Sequence, residues 1–102
     1  MPYAEVEPDE VKARIARGED VFLVDVREPD EVEAWAYPVG VNIPLGQLGD
    51  HLGELPRDRT IVVACHLGGR SATAAAALSD AGFTCENLTG GAVAWAEGDA
   101  EG

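Results

Sequence analysis

The run Cys65-His66-Leu67-Gly68-Gly69-Arg70-Ser71 is the part of this sequence best equipped for chemistry. A thiol becomes a strong nucleophile only as the thiolate, and three neighbours favour that form here. The run leads into an alanine-rich stretch that reads as a helix, so the positive end of a helix dipole faces the cysteine. Gly68 and Gly69 permit backbone conformations that turn successive N–H groups inward as an anion-binding nest. Arg70 adds a permanent positive charge. Together these predict a Cys65 thiolate at neutral pH, able to form a covalent intermediate. A loop this short curls around one small anionic group, such as a sulfite, a phosphate or a terminal persulfide, and is too small for a nucleotide. Its glycines fit neither the dinucleotide fingerprint nor a phosphate-binding P-loop, since no Lys follows Gly69.

The other candidates are weaker. Ser71 reads as a helix cap whose hydroxyl also reaches toward the sulfur. His66 is adjacent to the cysteine in sequence, and adjacent side chains point apart, so it reads as a loop residue near the acceptor rather than a paired base. Asp25 and Arg27 follow an apolar run and read as an ion pair supporting the loop, with Asp25 also open to Arg70. Cys85 lies in a strand-like run with no glycine loop or arginine after it and reads as structural. Two His and two Cys lack the spacing of a zinc site, and no metal or other cofactor is expected.

Elements that would position this loop are legible on either side of it. Val21–Val26 and Ile61–Cys65 are short, continuous, β-branched runs that suit strands buried on both faces of a parallel sheet. Residues 4–6, 41–43 and 84–88 are weaker strand candidates. Helices are expected over 8–17 and 29–36, each opening on Pro and acids, over 47–55, over 71–81 ending at Gly82, and briefly over 92–97. The acidic residues 97–102 are expected to fray. Alternation of this kind predicts one doubly wound α/β domain over residues 1–102, with ligands bound beyond the carboxyl ends of its strands.

Composition narrows the partners. The formal net charge is −12, which disfavours nucleic-acid backbones and anionic membrane surfaces. Apolar residues make up 46%, too many for disorder. Two cysteines do not make a disulfide scaffold, and no secretory signal or spanning segment is evident, so a reduced, cytoplasmic protein is expected. Lys12 is the sole lysine, an acid-rich balance that suits either high salt or a genome biased toward Ala, Gly and Arg codons.

Five segments in this order resemble the rhodanese-like domains over nearly the whole chain. They are Val24–Pro29, Asn42–Leu45, Cys65–Ser71, Ala81–Phe83 and Asn87–Trp95. The resemblance implies a five-stranded, mostly parallel sheet flanked by helices. It also implies a sulfurtransferase that moves sulfane sulfur from a donor such as thiosulfate to cyanide or a thiol through a persulfide. The nucleophile then falls on Cys65, the substrate cradle on His66, Leu67, Gly68 and Gly69, and the loop-closing arginine on Arg70. Four residues separate Cys65 from Arg70, one fewer than in the related dual-specificity phosphatases, and a tighter ring of amides suits sulfur better than a full phosphate. Alternative roles are a persulfide carrier in a protein-to-protein sulfur relay and a non-catalytic interaction module. The segment Trp35–Pro44 departs from the family pattern, with Ala36 where a histidine is common and Gly40 displaced by one position.

Overall fold

The computed structural model describes residues 2–101. Its five strands are β1 (Ala4–Val6), β2 (Phe22–Asp25), β3 (Val41–Asn42), β4 (Ile61–Ala64) and β5 (Cys85–Leu88). They form one sheet in the order β1-β5-β4-β2-β3. All four pairings are parallel, where the sequence resemblance implied a mostly parallel sheet. The helices are α1 (Pro8–Ala16), α2 (Pro29–Ala34), α3 (Gly69–Asp80) and α4 (Gly91–Glu101).

The apolar runs are continuous because both faces of the sheet are covered. Val24, Ile61 and Val63 belong to a core with Ala74, Ala75 and Leu78 of α3. Their neighbours Leu23, Val62 and Ala64 pack on the other side with Val11 of α1 and Ala92 and Trp95 of α4. Alternate residues of each strand thus feed opposite layers, as the pleat requires. Among the described residues, no helix is long and apolar enough to cross a membrane.

Helix boundaries follow local chemistry. Pro8 and Pro29 occupy first-turn positions, and Glu28 and Glu31 form a reciprocal cap at the start of α2. Gly82, at φ +96, ends α3 while the Phe83 N–H returns to the Leu78 carbonyl.

Several expectations are corrected. Residues 45–54 form a 3-10 segment rather than an α-helix over 47–55; Gly46, Gly49 and Gly53 weaken α-helix there. Helix α3 begins at Gly69, with Gly68 left-handed at its cap, so Ser71 lies inside the first turn and is not the cap. Helix α4 continues to Glu101, so the residues expected to fray are helical that far; Gly102, like Met1, lies outside the described residues. Lys12 ties this helix to α1 through the Trp95 carbonyl and Asp99, each at 2.8 Å. Helix α2 stops at Ala34 because Trp35 is extended. In the divergent segment after it, Gly40 has φ +103, and a Cβ there would collide with the Leu23 carbonyl, so β2 tolerates only glycine beside it.

Candidate active site

The strand order places the carboxyl ends of β2, β4 and β5 side by side. Cys65 is the first residue past β4, and its side chain is buried under the loop. The loop closes inward: the Gly68 amide donates to Cys65 Sγ over 3.0 Å, and Ser71 Oγ lies 3.2 Å from the sulfur. Burial by itself would raise the thiol pKa. Contact with the Ser71 hydroxyl, together with hydrogen bonds from the amides of Ser71, Gly68 and Leu67, outweighs it, and the balance lies below the ordinary thiol value. His66 and Leu67 turn their side chains to solvent.

The backbone beneath the nucleophile is fixed from the opposite side. Tyr37 donates its hydroxyl hydrogen to the Cys65 carbonyl at 2.6 Å. The Ala92 and Val93 amides at the start of α4 donate to the Cys65 and His66 carbonyls at 2.9 and 3.1 Å. Gly91 makes this approach feasible. Its φ is +58, and a Cβ would stand 2.6 Å from the His66 carbonyl and 2.7 Å from that of Cys65. Tyr37 also packs edge-on against both Trp35 and Trp95, which anchors the hydroxyl.

Of the charged candidates, Arg70 is placed differently from the first expectation. Arg70 pairs with neither the sulfur nor Asp25 by hydrogen bond, although its charge is felt at both. Its guanidinium grips Glu31 of α2 with two hydrogen bonds, at 2.6 and 2.8 Å. That pairing, together with the Glu28 amide contact, holds the Glu31 carboxyl at about 2. Asp25 and Arg27 do form the expected pair, at 2.7 Å and almost fully buried. Arg27 also donates to the Trp35 carbonyl at 2.8 Å and lies over the Trp35 and Tyr37 rings. Asp25 and Arg27 therefore support the strand end beside the loop without facing the sulfur.

Three functional candidates escaped the sequence reading. Asn87 of β5 accepts from Ser71 Oγ at 2.5 Å and donates to the Gly68 carbonyl at 3.2 Å. Its amide nitrogen also faces the Glu5 carboxylate. Tyr37 and Gly91 are the other two. None of the three carried a local sequence signal: Asn87 stands beside Glu86 in a mixed strand, and its partners come from distant segments.

Cys85 is a free, buried thiol whose pKa burial pushes up to about 11. The two cysteines act oppositely on stability. Above the usual thiol value of about 8.5 the unfolded chain ionises both. Folded Cys65 has already released its proton and adds stability there, stability that is lost as the pH falls through its lowered value. Folded Cys85 keeps its proton to about 11 and subtracts stability in that window. Iodoacetamide is therefore expected to alkylate Cys65 well before Cys85 at every pH below 8, read by peptide mass; equal rates would contradict the lowered Cys65 pKa.

Beside the loop opens an apolar groove of about 590 Å³, bounded by His66, Trp35, Val93 and Ala96.

The model of the rhodanese-like domain matches residues 7–98. A sulfurtransferase of Allochromatium vinosum is 37% identical over 93 residues, spanning 90% of this chain and 87% of that protein. The thiosulfate sulfurtransferase GlpE of Pseudomonas syringae is 31% identical over 94 residues, spanning 91% and 87%. Among solved structures, a rhodanese-like domain protein from Staphylococcus aureus superposes with a TM-score of 0.87 at 28% identity, covering 90% of each chain.

Proposed function

The chain belongs to the rhodanese-like domain family, a family of sulfur transfer among its relatives, and on that premise we propose that Cys65 carries the transferred sulfur as a persulfide. The Cys65 thiolate attacks the outer sulfur of a sulfane donor. The donor's S–S bond breaks, and sulfite leaves with the electron pair. Cyanide or a thiolate acceptor then attacks the outer sulfur of the persulfide, and the Cys65 thiolate leaves, a two-step exchange. The observation that carries this reading is the sulfur itself, held by the Gly68 amide at 3.0 Å and Ser71 Oγ at 3.2 Å. Amides already aimed at developing negative charge need no rearrangement as the reaction proceeds.

His66, Leu67 and Gly69 complete the rim around the incoming anion. Arg70 contributes by tying α2 to the start of α3 through Glu31, and by placing its charge near the Cys65 thiolate. The likeness to GlpE supports thiosulfate as a donor.

A net charge of −12 favours a second reading. It repels thiosulfate and cyanide at long range, although screening over about 10 Å at 0.1 M salt shortens the reach. The same field draws in a cationic protein, which suits a persulfide carrier in a sulfur relay. Two reduced cysteines suit a cytoplasmic setting for either role.

Intact mass after incubation with thiosulfate tests the proposal. A single added sulfur, mapped to Cys65 and released by cyanide as thiocyanate, is expected. No increment, or an increment on Cys85, overturns it. Slow loading from thiosulfate with rapid loading from a persulfide-bearing protein selects the carrier role.

A further inference from the structure

Ser71 Oγ lies 3.2 Å from Cys65 Sγ and 2.5 Å from Asn87 Oδ1. A hydroxyl has one hydrogen, so it donates to the sulfur or to the amide oxygen, never to both. Asn87 cannot remove the conflict by turning its amide over. Its Nδ2 faces the Glu5 carboxylate oxygens at 3.1 and 3.3 Å and the Gly68 carbonyl at 3.2 Å. Those three atoms only accept, so nitrogen must face them and oxygen must face Ser71. Thr89 Oγ1 donates to the same Glu5 carboxylate at 2.7 Å and fixes its position. Cys65, Ser71 and Asn87 are all buried, so water does not relieve an unmet partner.

Each state of the sulfur then sets the direction of the hydrogen. In the thiol, S–H donates to Ser71 Oγ and Ser71 donates to Asn87, a one-way chain with every group satisfied. In the thiolate, Ser71 either swings to the sulfur and strips Asn87 Oδ1 of its donor, or stays and sets a lone pair against the negative charge. In the persulfide, the charge sits on the outer sulfur and Ser71 returns to Asn87.

We propose that Asn87 is a positioning residue that competes with Cys65 Sγ for the single Ser71 hydrogen, locked in that role by Glu5 and the Gly68 carbonyl. This deepens the reading of Cys65 as the sulfur-carrying residue and rests on it. Asn87 offsets part of the stabilisation that the loop amides give the thiolate. The thiolate therefore stays a better nucleophile, since reactivity falls as thiol pKa falls. When the acceptor takes the outer sulfur, the electron pair of the breaking S–S bond goes to Sγ, and Ser71 swings to meet it.

The test is the pH dependence of iodoacetamide alkylation at Cys65, read by peptide mass in Asn87→Ala, Ser71→Ala and the double variant. Asn87→Ala frees the Ser71 hydrogen and is expected to lower the Cys65 pKa, shifting the alkylation profile to lower pH. Ser71→Ala is expected to raise it, and Asn87→Ala is expected to add nothing once Ser71 is gone. Arg70, Asp25, Arg27, Tyr37, His66 and Glu5 surround the site and are the same in all three proteins, so a charge change nearby does not account for the signs. A rise or no change in Asn87→Ala, or an equal shift in the Ser71→Ala background, overturns the proposal.

The infrared S–H stretch of the unmodified protein, recorded at a pH low enough to protonate Cys65, supplies a reading that survives an unfolded Asn87→Ala. The Cys65 band, assigned by its loss in Cys65→Ser, is expected at low frequency and is expected to rise in Ser71→Ala. A band that does not move overturns the one-way chain. Neither measurement uses a sulfur donor, so failure of Cys65 to load sulfur is a separate result that sinks only the persulfide reading.

Discussion

Cys65→Ser is expected to abolish sulfur transfer while leaving the protein folded. The substitution keeps the side chain's shape, and a hydroxyl at this position still finds the Gly68 amide and Ser71 as partners. The buried hydroxyl is therefore not left without a partner, which is what would make such a change costly. The chemistry is another matter. Oxygen forms no persulfide, and a serine hydroxyl stays protonated where this thiol ionises. Loss of a covalent nucleophile of this type lowers turnover by about 10³-fold or more. Thiocyanate formation from thiosulfate and cyanide, measured beside a thermal melt, separates the two effects. Cys85→Ala is the control, expected to keep turnover because that thiol is buried among apolar side chains of the core. Turnover that survived in Cys65→Ser and vanished in Cys85→Ala would move the site to the other end of β5.

Asp25→Ala is expected to be the most destabilising single change beside the site. Arg27 is 2% exposed and donates to both Asp25 carboxylate oxygens. Removal of the carboxylate leaves a buried guanidinium with only the Trp35 and Glu31 carbonyls. Breaking a buried pair from one side costs about 3–5 kcal/mol, a large part of the roughly 5–15 kcal/mol that holds a domain together. For a chain of this size that is a fall in melting temperature of roughly 12 °C or more. Replacement of both residues, Asp25→Leu with Arg27→Met, is expected to cost less than Asp25→Ala alone, since no charge is then stranded. The partly exposed Glu31–Arg70 pair contrasts with this: an ion pair open to water is worth at most about 1 kcal/mol. A melt for Asp25→Ala within a few degrees of the parent protein would show that Arg27 finds other compensation.

The sequence shows most of what positions the site. Ile61–Ala64 and Phe22–Asp25 are visible as strands because parallel strands buried on both faces carry unbroken apolar runs. The Cys65 loop is visible because left-handed backbone at Gly68 requires a residue without a Cβ. What is not visible depends on reach and on distant strand neighbours. Arg70 has a long side chain that could have met several carboxylates, and only the placement of α2 decides for Glu31. Asn87 meets Ser71 because β5 lies beside β4, a pairing that no local pattern in residues 85–88 encodes. The 3-10 segment at residues 45–54 shows glycines at spacings of three and four, which do not distinguish a turn of three residues from one of 3.6.

The parallel pairing of β1 with β5 has a consequence for biosynthesis. Glu5 leaves the ribosome well before Asn87, so the amide that orients around Glu5 is unconstrained until both strands have docked. Cys65 emerges between them with its carbonyl still lacking the clasp of the Ala92 amide. A nascent polypeptide therefore carries an ordinary, sluggish thiol at this position. Electrophiles and oxidants in the cell meet the activated form only after folding is complete, when the loop already shelters it.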